Sequence, residues 1–78
     1  MEYGKFIDWL ITENKMSERS AKDVVSRSKR ALAIVNQDMI NGDTMELLIS
    51  SSEFANCSMS IKSQLKRAVT LYMEFSLN

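Results

Sequence analysis

Apolar residues recur along the chain at helical rather than strand spacing. Tyr3, Phe6, Ile7 and Leu10 stand at i, i+3, i+4 and i+7, one face of a helix over about residues 2–14, and Trp9 and Ile11 widen the stripe. Asn14-Lys15 is expected to end it, because Asn tolerates the left-handed conformation of a helix C-cap. A second segment, about 18–38, holds the period through Ala21, Val24, Val25, Ser28, Leu32 and Val35, with Ile34 and Met39 extending the apolar surface. Ser17 supplies its N-cap hydroxyl, and Met16 a staple partner for Ala21. Asn41-Gly42 is expected to close it; Asn-Gly also marks hairpins, but no alternating pattern flanks it here. The third segment, about 44–54, is short. Asp43 and Glu46 stand at capping-box spacing before Met45, Leu47, Leu48, Ile49 and Phe54. Ser50-Ser51-Ser52 weakens its middle, since serine hydroxyls compete for backbone hydrogen bonds. The fourth, about 59–76, is capped by Ser58 or Ser60 and lines Ile61, Leu65, Ala68, Val69, Tyr72 and Met73 along one face. Phe75 and Leu77 make its end apolar. That end is expected to pack back on the first helix or to mark where a longer parent chain continues.

With no Pro to interrupt these helices, the expectation is an all-α fold: a compact bundle of four helices, the third short. The 78 residues make a single domain, 1–78, which by area scaling buries about 63% of its unfolded surface. Composition then narrows the chemistry. There is no His, which excludes Ser-His-Asp and Cys-His catalysis and imidazole metal sites. One Cys closes no intrachain disulfide and builds no Cys-rich zinc site; Cys57 has no cation within three residues and reads as an inert thiol. Asp38, Asp43 and Glu46 surround the 41–43 turn but match no calcium loop. Gly4 and Gly42 form no phosphate-binding loop, and Tyr3 and Tyr72 read as core or rim residues rather than nucleophiles. No catalytic residue, metal or cofactor is expected. No apolar run approaches the roughly 20 residues of a membrane span, and Met1-Glu2-Tyr3-Gly4 lacks the order of a signal peptide. The expected setting is cytoplasmic, with no membrane partner.

Charge is balanced in sum, ten basic residues against ten acidic, but not in distribution. Residues 15–30 carry six basic side chains and two acidic, net +4, and residues 60–67 carry three basic and none acidic, net +3. Residues 31–59 hold four acidic side chains and no basic one, net −4. Arg19, Lys22, Ser26, Lys29 and Arg30 follow helical spacing on the face of the second segment opposite its apolar stripe. On the fourth, Lys62 and Lys66 are i, i+4 neighbours beside the row of Ser63 and Arg67. Side by side, the two segments would join these rows into one patch, with hydroxyls of Ser20, Ser26, Ser60 and Ser63 among the cations. Such groups bond phosphate oxygens. Lys and Arg on an outer helix face are equally the ordinary solubilising residues of an amphipathic helix. Zero net charge argues against strong autonomous DNA affinity.

The order of signals adds to this. Phe6-Ile7-Asp8-Trp9-Leu10 is an F-x-x-W-L pattern. Met16-Ser17-Glu18-Arg19-Ser20 follows after a short loop, then Lys22-Asp23-Val24-Val25-Ser26-Arg27. Ser58 to Ala68 and Leu71-Tyr72-Met73-Glu74-Phe75 come near the end. The chain resembles, over nearly its whole length, the N-terminal core-binding domain of tyrosine recombinases and phage integrases, a small four-helix unit with a sterile-alpha-motif-like arrangement. Ser20 stands where that family often has Thr, and Val24 where it often has Tyr. The resemblance implies a non-catalytic module that binds double-stranded DNA through its second and fourth helices. A separate catalytic domain, absent here, would complete the grip, with other protomers on the DNA as further partners. It assigns DNA contacts, mostly to phosphates, to Arg19, Lys22, Arg27, Lys29 and Arg30 on the second helix and to Lys62, Lys66 and Arg67 on the fourth. The rival reading is a small protein-interaction module, a regulator or inhibitor from a mobile element, favoured by zero net charge, the acidic 38–53 stretch and the apolar end.

Overall fold

Two helices of 18 residues each, α2 (Glu18–Val35) and α5 (Met59–Ser76), form the frame of the computed structural model, which describes residues 3–77. They lie side by side in the most extensive helix pair of the molecule, and α1 (Tyr3–Thr12) packs against both. The short α3 (Thr44–Ser50) leans on α2 and α5, and α4 (Ser52–Ala55) is attached to α3. Among the described residues there is no strand. The fold is the all-α bundle that the apolar periodicity predicts, with its third segment divided in two.

The core is built from the predicted stripes. Phe6 and Leu10 of α1, Ala21, Val24, Val25 and Leu32 of α2, Leu48 and Phe54, and Leu65, Ala68, Val69 and Tyr72 of α5 are all buried, joined by Ala31 and Leu71, which lie outside those stripes. Ser28, on the α2 stripe, is buried too, and its hydroxyl donates to the Val24 carbonyl at 3.0 Å. Phe6 is the centre of an aromatic cluster that ties α1 to α5. Its ring centroid lies 5.0 Å from Tyr72 and 5.3 Å from Phe75. Trp9 stands half-buried at the cluster's rim, 5.8 Å from Phe75. The apolar end therefore does fold back on the first helix through Phe75, while Leu77 remains 85% exposed. Leu47 and Ile49, counted with the apolar content of the third segment, are exposed on α3.

Helix ends depart from expectation where the chain turns. Ser17 and Ser58 cap α2 and α5 by accepting from the Ser20 and Ile61 amides at 3.1 and 3.2 Å, so Ser58 rather than Ser60 is the cap. α1 stops at Thr12, and the positive φ of the following turn falls on Lys15, at 56°, not on Asn14. α2 stops at Val35, short of the expected end near residue 38, and Asn36 rather than Asn41-Gly42 closes it. Asn36 takes the left-handed cap at φ 58°, and the Gln37 amide donates to the Leu32 carbonyl at 3.0 Å, the long bond of a Schellman closure. This early exit lets Ile40 turn into the core, where it is 4% exposed. The expected Asp43–Glu46 capping box does not form, because Asp43 has helical φ/ψ and its side chain caps nothing. The turn is closed instead by Asn41, whose Oδ1 accepts from the Asp43 amide at 2.8 Å. Buried Thr44 completes it: its hydroxyl accepts from the Asn41 amide at 2.9 Å and donates to Gln37 Oε1 at 2.7 Å. Ser51 breaks the third segment with an extended ψ of 134°, in the middle of the serine run.

Candidate nucleic-acid interface

The eight basic residues picked out by the sequence fall into three groups. Arg19, Lys22, Lys29 and Arg30 are exposed on the outer face of α2, with Ser26 among them. Lys22 is bonded to Glu18 at 3.0 Å, an i, i+4 pair with both side chains largely in water, so it adds little to stability. Lys29 leans toward α1, its Nζ 5.1 Å from the centroid of the Tyr3 ring. Burial, with a further push from Tyr72, raises the Tyr3 pKa above its usual 10.0, so Lys29 faces a neutral ring at physiological pH. Arg30 turns the other way, its Nη2 donating to Cys57 Sγ at a long 4.0 Å. The cation that is missing beside Cys57 in the sequence is thus supplied from 27 residues away.

Arg27 and Arg67 make the second group, at the seam of α2 and α5. Half-buried Arg27 donates its Nε to Gln64 Oε1 at 3.1 Å, a direct link between the two helices. Gln64, Arg67 and Leu71 stand at i, i+3 and i+7, so the α5 row that faces α2 carries Arg67 beside Arg27. Together with Met16, Ser20, Asp23 and Val24 they line a notch of about 160 Å³. A broader depression of about 520 Å³ beside it is lined by Glu18, Arg19, Lys22 and Asp23. Its two acids match its two bases, and one of those bases is already paired.

Lys62 and Lys66 are the third group, on another flank of α5. Gln64 and Lys66 are two residues apart, about 200° around a helix, and Lys62 lies on the α4 side with its Nζ 6.0 Å from the Phe54 ring centroid. The single patch expected from adjacent helices therefore joins through Arg67, and Lys62 and Lys66 stand apart from it. Gln64 was not legible as a site residue. Its only signal is a polar side chain at the edge of the α5 apolar stripe.

The acidic side chains gather elsewhere. Asp38 and Asp43 lie in the α2–α3 connection, Glu46 on α3 and Glu53 on α4. Among the described residues no three His, Cys, Asp or Glu side chains are grouped to hold a metal ion, and no helix is long and apolar enough to cross a membrane. No protein-family model, no curated protein and no solved structure matches the chain.

Proposed function

We propose that the chain is a duplex-DNA-binding module of the kind its sequence resembles, the core-binding domain of tyrosine recombinases and phage integrases. It holds DNA without chemistry of its own. The observation that carries this reading is the Arg27–Gln64 link, which sets α2 and α5 so that cations of both helices meet at one seam. From that seam Arg19, Lys22, Lys29 and Arg30 continue the positive surface along α2, with small hydroxyls between them. Flexible cations and hydroxyls on a convex helix face suit phosphate contacts better than base readout. Because the whole chain is neutral, binding is modest and fades with salt. If three to five phosphates are met, the slope of log affinity against log salt is about −3 to −4.5 at ~0.9 per phosphate.

An amide NMR titration with a mixed-sequence duplex, at low and then physiological salt, tests the proposal. Shifts along α2 and around Arg67 that shrink with salt are expected. No shifts at low salt would overturn it. A second reading, a protein-interaction module, is favoured by Met39, Leu47 and Ile49, all about half exposed within the acidic stretch. That reading predicts concentration-dependent sedimentation or partner capture with no response to DNA.

A further inference from the structure

We infer that the notch between α2 and α5 is a phosphate seat, in which Arg27, Arg67 and the Ser20 hydroxyl converge on one phosphate group while Asp23 opposes it. The inference rests on the DNA reading for its source of phosphate, the duplex backbone. A free phosphate ion offers the same chemistry, and the test separates the two.

Three features favour this notch over the rest of the basic surface. The first is preorganisation. Arg27 is fixed through Nε by Gln64, so its two Nη groups are presented in a set plane with little rotamer freedom left to lose. Arg67 faces the same space from the other helix and has no ion pair among the described residues. Two guanidinium groups from different helices can engage different oxygens of one tetrahedral group. The second is hydroxyl direction. Ser17 Oγ donates to Ser20 Oγ at 3.1 Å, which occupies a lone pair of Ser20 and leaves the Ser20 proton for an outside acceptor. The third is size and lining. The notch is several times the ~30 Å³ that a water takes in the liquid, and Met16 and Val24 form apolar walls beside the charges. The lower dielectric beside those walls strengthens a charge-assisted contact, while exposed Ser20, Asp23 and Arg67 keep the notch open to water.

Asp23 is the counterweight. It lines the notch, yet no ion pair within 4.0 Å ties it to Arg27 or Arg67 among the described residues. The arginines are therefore not neutralised by contact, but a carboxylate beside them lowers the local positive potential. Seated phosphate meets two cations and one anion. This makes the seat selective for a ligand that reaches both arginines and keeps its affinity low.

The test uses the full chain with two probes, inorganic phosphate in a phosphate-free background and a 15-base-pair duplex. The readouts are the backbone amides of residues 20–27 and 67 and the Arg27 Nε–H signal. The variants are Arg67→Gln, Asp23→Asn, and Lys66→Gln as a control with the same charge change on the same helix. Both arginine and lysine are exposed, so the fold is retained in each variant, which thermal melts verify. Arg67→Gln is expected to weaken the duplex about tenfold at low salt and to reduce the salt slope by about 1. Asp23→Asn should strengthen it several-fold, and Lys66→Gln should change it less than twofold. Phosphate should move the notch signals in the parent chain and not in Arg67→Gln. Equal effects of Arg67→Gln and Lys66→Gln on a duplex that does bind would overturn the seat and leave the DNA reading standing. Notch shifts with phosphate but none with duplex would support the seat and overturn the DNA reading. Silence to both probes would overturn both.

Discussion

Phe6 shows how much of this domain hangs on single side chains. It is fully buried and meets Trp9, Tyr72 and Phe75 within 6.3 Å of its ring centroid. Truncating a buried Phe to Ala removes transfer energy and leaves a cavity, together about 3–5 kcal/mol. A chain of this length has roughly 4–12 kcal/mol in all at ~0.05–0.15 per residue. Phe6→Ala is therefore expected to remove a large share of that total, and all of it at the lower end of the range. Urea titration followed by Trp9 emission measures this directly, since Trp9 lies in the same cluster; a loss under about 1 kcal/mol would show that the ring is not the keystone its contacts imply. This residue was legible in the sequence, because one apolar face at i, i+3, i+4 and i+7 needs only local geometry. Gln64 was not, because its role depends on which helix lies opposite, and helical spacing says nothing of that.

At the scale of elements, the sequence identified where helices lie better than how they stop. Ser17 and Ser58 act as caps because a serine hydroxyl before a helical stripe has one nearby use, the third amide of the helix. The 36–44 connection departs from expectation because its strongest local signal, Asn41-Gly42, is not where the backbone turns left-handed. The competing requirements are tertiary. Ile40 must reach the core and Thr44 must bury its hydroxyl between Asn41 and Gln37, and α2 ends at Asn36 to allow both. Gly42 then has no positive φ, and a Cβ built on it would meet nothing within 4 Å. Gly42→Ala should stabilise the domain by roughly 0.4–1 kcal/mol, by narrowing the unfolded chain's freedom. A rise in the thermal midpoint is the expected result. A fall of similar size would mean that glycine's conformational range is in use at this turn after all.

Across the whole molecule, stability is unevenly spread, and the two 18-residue helices that carry the proposed DNA surface lie at its stable end. α2 and α5 share the largest contact and bury side chains along most of their length, with capped N-termini. The α3–α4 limb is the opposite. Its helices are seven and four residues long, it is broken at Ser51, neither N-cap side chain accepts a hydrogen bond, and Leu47 and Ile49 face water. The serine run announced this weakness; that the run would part the segment into two helices needed the pull of Leu48 and Phe54, both buried, from opposite sides of the break. Helices this short form only by tertiary packing, so the limb should open at lower free energy than the frame. Native-state amide exchange is expected to show slow, globally limited exchange at Val25, Leu32, Leu65 and Val69, and faster, sub-global exchange across α3 and α4. DNA held on α2 and α5 would further slow the frame and leave the limb's local opening unchanged, because a ligand protects only against openings that disrupt its own site. Protection of α3 and α4 equal to that of α2, or a limb that slows with DNA as much as the frame does, would show one cooperative unit in place of two.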